Sequence, residues 1–135
     1  ALEEASIDYR PELVQTGSHS YTSGVESMDR LLALAVRPTA VFCTHDLMAA
    51  GAYRSIHEHG LAIPEDVSVV GHDNIDLSSM LIPAMTTIDT DKFRLGQEGA
   101  RLLFEVMRGE VDDRCERVFP TDLVIRDSVR SLNGR

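Results

Sequence analysis

Three histidines recur along the chain at nearly equal spacing, and each falls just after a run typical of a β-strand. They are His19, His45 and His72, and Asp73 directly follows the last of them. Imidazole and carboxylate groups hydrogen-bond small polar molecules, and both are also ordinary zinc ligands. Because the spacing matches no compact metal motif, we predict a site for a hydroxyl-rich small molecule and no metal.

The elements that position these residues form a repeat of strand and helix. Apolar patterning predicts strands at residues 12–16, 39–43 and 67–71, and helices at 21–35 and 47–59. This rhythm indicates an α/β fold, a Rossmann-like parallel sheet with helices on both faces. The continuous apolar runs at 39–43 and 67–71 predict strands that are buried on both faces.

Ligands of open parallel sheets bind beyond the carboxyl ends of the strands. The residues at those ends are almost all polar: 18–20, 44–46 and 72–74. The charged and histidine side chains among them could also have a purely structural role, without contact to a ligand. We favour Asp46 as a helix N-cap over a ligand contact, because a helical run follows it directly. Asp73 could instead cap a turn, and His19 and His45 could be ordinary loop residues.

The pattern changes after residue 77. We predict a loop at 78–83, a strand at 86–88, a helix at 91–108 after a possible cap, and a last strand at 117–125 before a frayed tail. The helix carries an apolar stripe that includes Phe93, Ala100, Leu103 and Met107. Exposure of such a stripe to water is unfavourable. We therefore predict that this helix packs on a second copy of the chain.

Composition excludes several classes of function. There are 13 Lys and Arg against 22 Asp and Glu, a formal charge of −9, which argues against direct binding of a nucleic-acid backbone. We find no long apolar run for a membrane span and no leader sequence. Cys43 and Cys115 form no disulfide framework, which favours the cytoplasm. Without a nucleophile elbow or a phosphate-binding loop, we predict neither an enzyme nor a cofactor.

The chain resembles the LacI/GalR-type transcriptional regulators along essentially its whole length. Three strings carry the resemblance: RPTAVFCTHDLMAAGA at 37–52, IPEDVSVVGHDN at 63–74 and PAMTTI at 83–88. Leu95-Gly96 and the amphipathic helix continue it. The resemblance implies a type I periplasmic-binding-protein-like fold, in which two lobes enclose an effector cleft. Because the chain starts without Met, we interpret it as part of a longer protein.

Within that fold, the resemblance divides the chain into three parts. Residues 1–85 would form the C-terminal lobe, 86–116 a crossover strand and helix belonging to the other, absent lobe, and 117–135 the return strand and tail. Asp73 matches the pocket aspartate that binds effector hydroxyls. His19, His45 and His72 replace the family's usual residues, and Lys92 lies at a crossover near the cleft. These departures predict pH-sensitive binding, because imidazole titrates near pH 6.5.

The resemblance also implies partners. The chain would be the effector-sensing and dimerisation portion of a DNA-binding regulator that responds to a sugar or a similar molecule. It would form a homodimer and reach operator DNA only through an absent N-terminal helix-turn-helix. The alternative is a fragment of a periplasmic sugar-binding protein of an ABC-type transporter; an enzyme of unknown type is more distant. The expected dimer interface consists of Ala50, Tyr53, Arg54, Met80, Leu81 and Ile82, with core packing as the alternative for the last three.

Overall fold

The computed structural model describes residues 4–112 and 114–131. Residues 1–3, residue 113 and the last part of the predicted frayed tail, 132–135, lie outside the described part. Apart from a short 3-10 helix at Pro11–Leu13, the described elements are, in chain order, α1 (Tyr21–Leu32), β1 (Ala40–Phe42), α2 (Asp46–Glu58), β2 (Ser68–His72), α3 (Asp76–Met80), β3 (Thr86–Asp89), α4 (Lys92–Met107) and β4 (Asp122–Val124). The prediction of fraying is wrong for residues 126–131, because Ser128 is buried and hydrogen-bonded to β2 and β3.

The strands form one sheet in the order β1-β2-β3-β4. β1, β2 and β3 run parallel, with Val41 opposite Val69 and Val70 opposite Thr86. β4 returns antiparallel along β3. The predicted α/β fold is confirmed, and the sheet is mixed at one edge because β4 is a return strand. β3 is hydrogen-bonded to β2, so the chain leaves this sheet after Asp89 and not at residue 86.

The strand predicted at residues 12–16 is wrong. Pro11 starts a 3-10 turn there, and Val14 is extended but belongs to no ladder in the described part of the chain. A cavity of about 290 Å³ has Leu13, Val14 and Gln15 on one side and β1 on the other. β1 is therefore an edge strand and Phe42 is 55% exposed, which contradicts the predicted burial of this strand on both faces. That prediction holds better for β2, where Ser68, Val69 and Gly71 are buried.

Helices α1 and α2 cross closely at two glycines. A Cβ atom on Gly24 would lie 2.0 Å from the carbonyl oxygen of Met48, and one on Gly51 would lie 2.1 Å from that of Tyr21. Only hydrogen fits between backbones at such separations. The crossing closes the core beside the sheet, where Met28, Ile56, Val67, Val69 and Met85 are almost fully buried.

Helix α1 begins at Tyr21, the predicted residue, and Ser20 caps it. The Ser20 hydroxyl accepts a hydrogen bond from the Ser23 N–H at 3.2 Å, which satisfies one of the free donors of the first helical turn. The helix ends at Leu32, earlier than predicted, and the chain then reaches β1 through Pro38. This cap positions His19 immediately before the helix.

Helix α4 packs on little of the described chain. It is capped by Asp91, whose carboxylate accepts from the Arg94 N–H at 3.1 Å, and none of its residues is buried. Phe93 is 83% exposed and Met107 is 71% exposed. The predicted apolar stripe is thus open within the described chain. None of the described helices combines the length and apolar content needed to cross a bilayer.

Gly51→Ala tests the close crossing of α1 and α2. The added methyl group must push backbone away from backbone, so we expect the free energy of unfolding to fall by about 1–3 kcal/mol. Urea denaturation measures this change. Gly99→Ala is the matched control, because nothing lies within 4 Å of a Cβ at this position in α4. There the same substitution should stabilise the helix by about 0.5–1 kcal/mol, and equal effects at both sites would contradict the crossing.

Candidate functional site

A polar rim lies where β1 and β2 end. Because these strands are parallel, their carboxyl ends meet at one edge of the sheet. His45 Nδ1 lies 2.9 Å from Asp73 Oδ2, and His72 Nδ1 lies 3.1 Å from Asp73 Oδ1. The Asp73 carboxylate therefore links the ends of both strands. The predicted convergence of these three residues is present in the structure.

His19 and Lys92 join the same rim from other elements. The His19 ring centroid lies 3.7 Å from that of His45, at an interplanar angle of 51°. The Lys92 ammonium group, at the start of α4, donates to the backbone carbonyl of Asp73 and lies 3.5 Å from that of Asn74. Five of the six predicted ligand-binding residues are thus brought together. We define the polar rim as His19, His45, His72, Asp73 and Lys92.

Asp46, the sixth, lies beneath the rim and not in it. Its side chain has no exposed surface, and the residue capping α2 is His45, without a side-chain cap hydrogen bond. Asp46 Oδ1 accepts from the Thr87 hydroxyl at 2.6 Å, and Oδ2 accepts from the Ile75 N–H at 2.9 Å. The favoured N-cap interpretation is therefore wrong. Burial with both oxygens occupied makes Asp46 a support for the rim, because a buried carboxylate must find donors.

Gly71 makes room for the buried carboxylate. A Cβ at this position would lie 2.2 Å from Asp46 Oδ1 and 2.7 Å from the Met85 methyl group. Any side chain on β2 here would displace the carboxylate from Thr87. The glycine immediately before His72 is thus required by the support under the rim.

The backbone at the centre of the rim is strained. Asp73 has φ +111° and Asn74 has φ +48°, conformations that residues other than glycine rarely adopt. The Asp73 N–H donates to the Ile88 carbonyl at 2.9 Å. Arg126 donates to Asn74 Oδ1 at 2.8 Å and to the Met85 carbonyl at 2.7 Å. Strain of this kind persists only where several contacts enforce it, and it concentrates at functional sites.

Sequence reasoning missed several of these supporting residues. Arg126 lies between β4 and the end of the described chain, far from Asn74 in sequence, and no local pattern marks it. Thr87 was predicted only as a strand residue. Ser128 is buried, accepts from the Thr86 N–H at 2.8 Å and donates to the Val69 carbonyl at 2.6 Å, which ties the C-terminal segment to β2 and β3. The sequence does not mark Ser128 as a supporting residue either, because buried serines have no characteristic sequence pattern.

The electrostatics of the rim favour an ionised Asp73. Partial burial raises the pKa of the Asp73 carboxyl, but hydrogen bonds and charge from His45 and His72 outweigh it, and the pKa lies below its ordinary value. The pKa of Asp89 is lowered too, by hydrogen bonds from the Asp91 N–H and the Asn74 amide. Burial raises the pKa of the Cys43 thiol to about 12, so this cysteine is an unreactive core residue.

The residues predicted for a dimer interface divide into two sets. Ala50 and Tyr53 are buried inside the chain, and the Tyr53 hydroxyl donates to the Pro83 carbonyl at 3.1 Å. Leu81 packs partly against the core. The exposed members are Arg54, paired with Glu58, and Met80 and Ile82, which are 70% and 86% exposed.

This fold and rim define a lobe of the Rossmann type, in which polar side chains follow parallel strands. The model of the periplasmic binding protein-like domain family matches residues 1–129. The chain therefore belongs to this family.

Individual relatives agree with this assignment. The chain is 44% identical to the HTH-type transcriptional repressor PurR of Mannheimia succiniciproducens, over 98% of this chain and 40% of that protein. It is 38% identical to the HTH-type transcriptional repressor CytR of Escherichia coli, over 98% and 39%. A solved complex of the transcriptional regulator CelR with cellobiose is 37% identical, with a TM-score of 0.88, over 94% and 39%. The chain spans about two fifths of the length of these relatives.

Asp46→Ala tests the support beneath the rim. The variant leaves the Thr87 hydroxyl and the Ile75 N–H without their acceptor in a buried place, so we expect the free energy of unfolding to fall by about 3 kcal/mol. Asp122→Ala, an exposed carboxylate on β4, is the control and should change it by less than about 0.5 kcal/mol. Equal stability of the two variants in urea denaturation would contradict this role of Asp46.

The lowered pKa of Asp73 predicts a pH dependence of stability. A carboxylate with a depressed folded-state pKa stabilises the protein above its unfolded-state pKa and loses this contribution as the pH falls through the folded value. The stability difference between wild type and Asp73→Asn should therefore shrink as the pH falls from about 5 towards 3. Urea denaturation at several pH values measures it, with Asp76→Asn on the exposed start of α3 as control. A difference that stays constant over this range would contradict the ion pairing of Asp73.

Proposed function

We propose that this chain is the effector-sensing and dimerisation portion of a LacI/GalR-type transcriptional regulator. The single observation that carries the proposal is the position of Asp73. Its carboxylate lies at the common end of two parallel strands, bound by one histidine from each. The PurR and CytR relatives are both HTH-type transcriptional repressors, which supports a regulator over a transport component.

The polar rim would form one wall of the effector site. It offers a carboxylate, three imidazoles and an ammonium group within a small area, and such groups suit a neutral or weakly charged molecule rich in hydroxyls. The cavity of about 290 Å³ is a poorer candidate, because its lining is mainly apolar and includes neither Asp73 nor His72. The CelR relative holds cellobiose, which favours a sugar or a similar molecule as the effector.

The exposed apolar residues support two further contacts. Met80 and Ile82 would lie in a homodimer interface, because they are two residues apart and both expose large apolar side chains, and neighbouring exposed apolar groups mark interaction surfaces. The open stripe of α4 would pack against another lobe or a second copy. Residues 1–85 and the strand β3 would then belong to the lobe described here, with α4 in the crossover.

The mechanism is a shift between two arrangements of the lobes. An effector can change operator affinity only by binding one arrangement more tightly than the other. Operator DNA would be bound by a helix-turn-helix outside this chain, since the −9 formal charge of this portion disfavours phosphate contacts. Such a protein would act in the cytoplasm and catalyse no reaction.

Asp73→Ala tests the proposed function in the full-length regulator. We expect the release of operator DNA by its sugar effector to need at least about tenfold more ligand, because a charged hydrogen bond to the effector is lost. Operator affinity without effector should not change. Fluorescence anisotropy of labelled operator, with a panel of neutral sugars that includes cellobiose, gives both quantities.

Asp76→Ala is the control for this experiment, since its carboxylate is exposed on α3 three residues away. It should respond like wild type. Unchanged release in Asp73→Ala, or a panel in which no sugar acts on the wild type, would overturn the proposed function.

A further inference from the structure

The contacts of Asp73 determine where the protons of two histidines lie. Its two oxygens receive one imidazole each: Oδ2 is 2.9 Å from His45 Nδ1 and Oδ1 is 3.1 Å from His72 Nδ1. An ionised carboxylate only accepts hydrogen bonds. Both Nδ1 atoms must therefore carry a hydrogen, and a neutral imidazole that has its hydrogen on Nδ1 has a lone pair on Nε2.

The two Nε2 atoms are open to solvent. Neither forms a hydrogen bond with another group in the described part of the chain, and no described side-chain nitrogen or oxygen is buried without a partner. The side chains of His45 and His72 remain 29% and 32% exposed. The rim thus presents two hydrogen-bond acceptors whose ring centroids lie 6.5 Å apart.

The charged groups around these imidazoles largely compensate one another. Lys92 contacts the Asp73 carbonyl, and Asp89 and Arg126 both bind the Asn74 side chain. The buried Asp46 lies below, bound to Thr87 and Ile75. His19 covers one side of His45 through its ring. Asp73 is the charged group in hydrogen-bond contact with His45 and His72, within the residues the structure describes.

We propose that His45 and His72 determine effector specificity, by accepting hydrogen bonds at Nε2 from two hydroxyl or N–H donors of a neutral effector. Asp73 is in addition their positioning residue, because it fixes both tautomers. This inference rests on the proposed function of the rim as an effector site. A site with these two acceptor nitrogens favours neutral molecules that carry hydrogen-bond donors over anionic molecules.

The same arrangement links binding to protons. When an imidazole takes up a second proton, its Nε2 changes from an acceptor to a positively charged donor, and the hydrogen bond from an effector hydroxyl is lost. Protonation of either imidazole should therefore weaken the binding of a neutral effector.

The tautomers can be measured without an effector. Long-range ¹H–¹⁵N NMR of the labelled protein at pH 8 distinguishes a hydrogen on Nδ1 from one on Nε2. We expect His45 and His72 to carry it on Nδ1, and Asp73→Ala, which removes both acceptor oxygens, to move it largely to Nε2. His57, exposed on α2, should be the same in both proteins. Hydrogen on Nε2 of either rim histidine in the wild type would overturn the inference, whether or not the variant folds.

A binding experiment tests specificity. Neutral sugars that include cellobiose, and their uronic acid counterparts, are titrated calorimetrically at pH 7.5 against the full-length wild type, His72→Phe and the control His57→Phe. A neutral sugar should bind wild type at pH 7.5 and bind His72→Phe roughly tenfold more weakly. Equal binding by wild type and His72→Phe, or preference for the acids, overturns this inference alone. Absence of any binding overturns the proposed function as well.

Discussion

The structure depends on one buried carboxylate. Asp46 stands at the start of α2, yet its oxygens bind the Thr87 hydroxyl of β3 and the Ile75 N–H after β2. A carboxylate without exposed surface is stable only where donors replace water. Because these donors belong to different elements, the helix, the sheet and the loop carrying Asp73 hold one relative position. Gly71 leaves the space that this contact needs.

Above this buried carboxylate, the polar rim is formed by residues from several different elements of the fold. Parallel pairing of β1 and β2 brings His45 and His72 to one edge, and the loop after β2 turns Asp73 between them. The strained backbone at Asp73 and Asn74 is enforced by Arg126, Lys92 and the Ile88 carbonyl. The imidazoles and the carboxylate thereby have fixed orientations before any ligand arrives, which lowers the ordering cost of binding.

Two other surfaces of the described chain are apolar and exposed. The edge of β1 exposes Phe42 beside the cavity, and α4 exposes Phe93 and Met107. These are the apolar surfaces that the proposed packing against another lobe or a second copy of the chain would cover. The rim itself is polar, so the proposed effector site and these apolar surfaces are chemically distinct.

The sequence by itself determined the repeat of strand and helix, the start of α1, the amphipathic stripe of α4 and the grouping of His19, His45, His72, Asp73 and Lys92 at one edge. These follow from side-chain periodicity, local capping and the rule that parallel strands end together, or from resemblance to a family. Only the tertiary structure decided that residues 12–16 pair with no described strand, that β4 runs antiparallel, and that Asp46 is a buried support. It also decided that Ala50 and Tyr53 are buried and that Arg126 holds Asn74. The reason is physical: a side chain's local pattern is set by its neighbours in sequence, whereas its hydrogen-bond partners are set by whichever distant backbone the packing brings within about 3 Å.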